Sequence, residues 1–84
     1  MPYVVQDIRP GLDRGEPMLT PGDLNYCLTK VANEYMRYHG VSYQTCNDVL
    51  GAFDGASKEF YRRVVAPYED RKLEQNGDVY TCAP

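Results

Sequence analysis

Residues 42–67 read SYQTCNDVLGAFDGASKEFYRRVVAP, and this stretch decides the fold. Ser42 is a favourable N-cap, and Val41 before it is placed to close a hydrophobic staple onto Cys46 at the fourth helical position. Cys46, Val49, Leu50, Phe53, Phe60 and Val64 then recur at helical spacing, so a long amphipathic helix runs to Ala66. Pro67 removes a backbone donor and obstructs the turn before it, which predicts a stop or kink there. The charged run Glu69-Asp70-Arg71-Lys72 continues beyond it to Asn76-Gly77.

Upstream, Thr20-Pro21-Gly22-Asp23 sets up another helix start. Thr20 serves as N-cap, Pro21 occupies the first helical position where its missing N–H costs nothing, and Asp23 suits the positive end of the helix dipole. Leu24, Cys27, Leu28, Val31, Tyr35 and Tyr38 form its apolar stripe, and Gly40 ends it as a left-handed residue. Three prolines and three glycines within residues 10–22 mark a loop. Residues 3–8 (Tyr-Val-Val-Gln-Asp-Ile) and 78–82 (Asp-Val-Tyr-Thr-Cys) each read as a short strand. The expected class is α+β: short N- and C-terminal strands paired beside a two-helix antiparallel hairpin, the second helix long and kinked near Pro67, in one domain over residues 1–84.

Composition sets limits on function. A chain of 84 residues with 43% apolar side chains supports one core, which excludes enzymes built from separate cofactor and substrate domains. Twelve acidic against nine basic side chains, with a pI near 4.9, argue against a general DNA or RNA binder. No window approaches the roughly 18 consecutive apolar residues of a membrane span. The first residues lack the basic and apolar regions of a signal peptide, so the chain is expected to stay in the cytoplasm in which it is made. Cys27, Cys46 and Cys82 contain no C-x-x-C pair and are odd in number, which argues against a disulfide framework. A zinc site would need all three together with His39, the one histidine, and no metal is expected.

Asn47, Gly51, Asp54, Lys58, Tyr61 and Val65 fall within about 40° of one line on the second helix, away from its apolar stripe. Gly51 and Gly55 each cost a helix about 1 kcal/mol relative to alanine. They suit either close approach of a ligand or another backbone, or an exposed face that tolerates them. Arg62-Arg63, between Tyr61 and Tyr68, is the paired basic cluster, and guanidinium groups grip phosphate in bidentate geometry. The same arginines are also spaced to pair with Glu59, Glu69 or Asp70. By helical angle Arg62 lies about 60° from Asn47 and Arg63 about 160° away. Asp48 and Asp54 form a conceivable acid–base pair, but no Ser or Cys has the setting of a nucleophile, and neither a P-loop nor G-x-G-x-x-G is present. The chain is therefore read as non-catalytic, without a cofactor.

Leu24-Asn25-Tyr26, Tyr43 with Asn47-Asp48-x-x-Gly51, Phe60-Tyr61-Arg62-Arg63-x-x-Ala66-Pro67-Tyr68-Glu69-Asp70-x-Lys72 and Asn76-Gly77-Asp78-Val79-Tyr80 together resemble a family of small phage and prophage proteins. The resemblance covers most of the chain from residue 24 onward. The chain also resembles the Thoeris anti-defence sponge family, phage proteins that hold a cyclic ADP-ribose-type immune signal without cleaving it. This resemblance implies action in the host cytoplasm by a homo-oligomer, at least a dimer, with ligand held between subunits by an aromatic, an asparagine and an arginine. Asn47 and one of Arg62 or Arg63 match by motif, Tyr35 or Tyr38 is the stacking aromatic, and Tyr61 stands near the phosphates. Phe53-Asp54-Gly55-Ala56-Ser57-Lys58 departs from the Leu-Glu-Cys-Ala-Lys type of helix expected there, which bears on ligand preference. The alternative is a small phage protein that inhibits a host protein by direct contact, using tyrosines and an acidic surface.

Overall fold

In the computed structural model, which describes residues 4–81, Pro10 stands in the first turn of a helix, where the sequence reading has a loop begin. A proline in the first helical turn forfeits no hydrogen bond, because the N–H groups there have no partner anyway. Val5 is extended (φ −69°, ψ 154°) before a 3-10 turn at Gln6–Ile8 and helix α1, Arg9–Asp13. The strand expected over residues 3–8 is thus replaced by helical turns, with Tyr3 outside the described residues. Residues 78–81 form no strand either. Asp78 Oδ1 accepts the Tyr80 N–H at 2.9 Å, a local turn that withdraws this backbone from pairing, and Cys82 lies outside the described residues. The described residues are 78% helical with no strand, which overturns the α+β class and its paired strands.

The chain divides into two units, Met1–Val49 and Leu50–Pro84. In the first, α2 (Pro21–His39) begins where Thr20 Oγ1 accepts the Asp23 N–H at 3.0 Å and Asp23 Oδ2 accepts the Leu19 N–H at 3.0 Å. This reciprocal cap satisfies two orphan donors and explains why a carboxylate is buried there. At the other end Gly40 has φ +83° and ψ 162°, a conformation open to glycine but distinct from the left-handed helical one expected. Its N–H donates to Met36 O at 2.7 Å.

Helix α3 (Tyr43–Phe60) starts on a second reciprocal cap. Ser42 Oγ accepts the Thr45 N–H at 3.1 Å, Thr45 Oγ1 accepts the Ser42 N–H at 2.9 Å, and the Thr45 hydroxyl donates to Gly40 O at 2.8 Å. Thr45 is buried by this role. The hydrophobic staple expected beside it does not form, since Val41 is 81% exposed.

The element packed on α2 is α1, where an antiparallel α3 was expected. Leu12 and Val4 are the buried apolar side chains among the described residues. Polar contacts fix the same junction: Tyr26 OH donates to Asp13 Oδ1 at 2.9 Å, Lys30 Nζ lies 3.5 Å from the same oxygen, and the Arg9 guanidinium sits 5.6 Å from the Tyr26 ring centre. The expected core stripe of α2 stays largely open to solvent, with Leu24, Leu28, Val31 and Tyr38 all exposed.

In the second unit α3 continues to Phe60, a single wide π turn spans Tyr61–Val65, and α4 runs over Ala66–Asn76. The Ala66 N–H donates to Tyr61 O, five residues back. Pro67 supplies the reason: it has no N–H to offer, and in a regular helix its ring would press on the carbonyl four residues earlier. Taking in one extra residue relieves that clash, so the irregularity expected near Pro67 takes the form of this turn. The charged run is carried by α4 up to Gly77, which has φ +81°.

Candidate functional site

The six residues singled out from sequence fall into two groups, one in each unit. At the C-terminal end of α2, the Tyr35 and His39 rings lie 4.4 Å apart and the Tyr38 ring meets His39 edge-on at 5.2 Å. Tyr35 OH donates to Asp48 Oδ2 at 2.8 Å, and Gln44 Nε2 donates to Asp48 Oδ1 at 2.7 Å. Asn47, beside Asp48, is exposed. Both Asp48 oxygens are therefore occupied, and the aromatic cluster is tied to the start of α3 by one phenol–carboxylate bond.

That bond has a defined pH window. The Tyr35 hydroxyl, and then the Gln44 amide, hold the Asp48 carboxyl below its ordinary 3.8, while the bond to Asp48 raises Tyr35 above its ordinary 10.0. A carboxyl lowered by folding stabilises the fold above its unfolded value and loses that contribution as pH falls through the folded one; a phenol raised by folding loses it as pH rises through its folded value. The bond is expected to persist from below pH 3.8 to above pH 10. Tyr35→Phe should move the Asp48 carboxyl back toward 3.8 in an NMR titration, and an unchanged value would refute the coupling.

The second group lies on the π turn. Arg62 donates to Glu59 Oε1 at 3.0 Å, and Arg63 Nη1 stands 3.7 Å from the same oxygen. Of the acidic partners within reach, Glu59 is the one used, and two guanidinium groups share one carboxylate. Both arginines are exposed, which leaves this turn locally positive in a chain of net charge −3. Tyr61 OH donates to Glu69 Oε1 at 2.8 Å, and this bond raises the phenol above its ordinary 10.0. On a regular helix positions eight apart lie about 80° apart; the extra residue of the π turn brings these two into line. Tyr68 carries the cations that Tyr61 lacks, with Arg71 and Lys72 at 5.8 Å and 5.6 Å from its ring centre.

The acid–base pair considered from sequence has separate engagements, Asp48 with Tyr35 and Gln44, and Asp54 with Lys58 at 2.8 Å. A Cβ added at Gly51 or Gly55 would meet nothing within 4 Å, so no neighbour in the described chain requires either glycine. A groove of about 450 Å³ in the first unit is lined by Val4, Ile8, Leu12, Leu19 and Asp23 among others, and one of about 460 Å³ in the second by Glu69, Lys72, Leu73, Asn76 and Tyr80 among others. None of the six candidate residues lines either groove. Among the described residues no cluster of three His, Cys, Asp or Glu side chains is placed to hold a metal, and no helix is long and apolar enough to cross a membrane.

The sequence reading sets Asp48 with Asp54 and offers Glu69 to the arginines, whereas the structure bonds them to Tyr35 and Tyr61. Tyr35 and Asp48 lie on different helices, and Tyr61 and Glu69 are aligned by the π turn, so neither pair follows from regular helical spacing.

Fold and site together define a small helical protein with little buried apolar surface and exposed aromatic and arginine groups. Residues 1–79 match the family described as Domain of unknown function (DUF6899), and the chain belongs to it. No curated protein and no solved structure matches the chain.

Proposed function

We propose that this protein is a non-catalytic phage protein that sequesters a cyclic nucleotide-type immune signal, a cyclic ADP-ribose isomer or a cyclic oligonucleotide, between copies of itself in the host cytoplasm. The observation that carries the reading is the π turn, which presents Arg62 and Arg63 to solvent with one carboxylate between them. Two guanidinium groups so placed match the charge and bidentate geometry of phosphate. The exposed Tyr35 and Tyr38 rings supply a stacking surface, and Asn47 supplies an amide free to read a base or ribose edge. The engaged states of Asp48 and Asp54 fit holding a ligand better than cleaving one.

A second reading, inhibition of a host protein by direct contact, is favoured by the uncovered apolar stripe of α2. One experiment separates the two. The protein is incubated with cyclic dinucleotides, cyclic trinucleotides and cyclic ADP-ribose isomers, freed of unbound ligand and heat-denatured, and the released material is identified by mass spectrometry. One unmodified cyclic nucleotide is expected. Release of nothing, together with capture of one stoichiometric host protein, would replace the first reading with the second. Release of a linear product would make the protein an enzyme.

A further inference from the structure

We infer that the subunit contact completing this site is an antiparallel pairing of α3 with α3 of a second copy, centred at the level of Gly55. The inference rests on the self-assembly contained in the functional reading above and specifies the partner and the register.

Leu50, Phe53, Ser57, Phe60 and Val64 alternate at intervals of three and four residues, the spacing of a coiled-coil seam. Val64 stands on the π turn, at the C-terminal end of the stripe. Among the described residues this seam is open: Leu50 is 66% exposed, Phe60 60% and Val64 52%. The pattern is also symmetric about residue 55, with positions 50 and 60 equidistant from it and positions 53 and 57 likewise. Laid antiparallel on its own copy, the helix sets Leu50 against Phe60 of the partner subunit. The next layer sets Phe53 against Ser57 of the partner subunit, a large side chain over a small one. A parallel pair would stack Phe53 on itself and Ser57 on itself.

Charge selects the same orientation. Residues 43–55 carry Asp48 and Asp54 without a base, a net of −2, whereas residues 56–65 carry Lys58, Arg62 and Arg63 against Glu59, a net of +2. Antiparallel packing lays the negative half on the positive half and opposes the two helix dipoles; parallel packing lays like on like. Two such seams hide on the order of 1,000 Å² in total, the lower bound of a stable interface.

The register has a consequence for the ligand. Asn47 comes within one residue of the level of Arg62 of the partner subunit, on the same edge of the seam as Tyr61 of the partner subunit, because the two-fold pairing keeps each line of the helix on its own edge. Asn47, with Tyr61 and Arg62 of the partner subunit, then lines one edge of the pair, which brings together the asparagine, the tyrosine near the phosphates and a guanidinium group.

Leu50→Glu and Phe60→Lys test this, since both side chains are exposed within the chain and circular dichroism can confirm that each variant keeps its helices. Light-scattering mass and sedimentation equilibrium should show a dimer or larger for the parent. Each variant alone should dissociate at least tenfold more readily, and an equimolar mixture should recover the association, because one layer then sets a glutamate against a lysine. A parent that is monomeric, a mixture no tighter than its components, or variants with the parent's mass would each overturn the α3 pairing. In the last case another face carries assembly and the nucleotide reading stands. Nucleotide retention is measured on the same samples, so recovered pairing without any retained nucleotide overturns the ligand reading and leaves the interface in place.

Discussion

Truncation of Leu12 to alanine is expected to destabilise the first unit by about 2–3 kcal/mol, a large share of the margin by which a chain of this size folds. The cause is the small amount of apolar burial there. Leu12, 6% exposed, and Val4, 8% exposed, are the buried apolar side chains among the described residues, and they hold α1 against α2. The cost falls in the lower part of the range for buried leucines because Leu12 lines an open groove of about 450 Å³, where solvent can fill the space left behind. The junction should loosen as a unit, so the Tyr26–Asp13 bond fails with it and the phenol, raised by burial and by Asp13, moves back toward its ordinary 10.0. Urea unfolding followed by circular dichroism, with an absorbance titration of the tyrosines, measures both effects. Val31→Ala, at a position 65% exposed, should change stability by no more than about 0.5 kcal/mol. Equal losses at the two positions would refute the assignment of the core to α1.

Both long helices were legible because their start signals are local. Thr20-Pro21-Gly22-Asp23 and Ser42 specify hydrogen bonds that close within three or four residues, and the structure forms them. The two terminal segments mislead for a local reason too. Pro10 suits the start of a loop and the first turn of a helix equally, and the β-branched run before it is too short to decide; the helical outcome depends on Leu12 finding α2. Asp78 reads as the first residue of a strand, yet its side chain accepts the Tyr80 N–H. The antiparallel hairpin failed because an apolar stripe shows that a helix will cover something and does not say what. In the site, the sharing of Glu59 by Arg62 and Arg63 follows from spacings of three and four residues. The Tyr35–Asp48 bond spans a helix break, and the Tyr61–Glu69 bond needs a π turn whose cause, Pro67, is visible in sequence but whose extra residue is not.

Replacement of both Arg62 and Arg63 by alanine is expected to lower retention of the cyclic nucleotide by roughly 100-fold or more, since each removes a charge-assisted bond to phosphate. The fold should survive the change. Both side chains are exposed, and surface pairs such as those with Glu59 add little stability, so the helical signal should match that of the parent. The single variants divide the effect: Arg62 is on the side of Asn47 by helical angle and comes to the same edge as Asn47 of the partner subunit in the antiparallel pair, whereas Arg63 faces the opposite edge. A larger loss at Arg62 with association intact favours a pocket built across copies on that edge. Lysine at both positions should restore only part of the binding, because an ammonium group preserves the charge without the planar fork. Glu59→Gln should act in the opposite direction and tighten retention several-fold, as it removes the one carboxylate that both guanidinium groups share. A salt titration supplies the remaining control, with the parent's affinity falling steeply as salt rises and the double variant's falling less. If the alanine double variant holds nucleotide as tightly as the parent, the π turn is not the phosphate site, and the arginines are solvent-facing partners of Glu59 and nothing more.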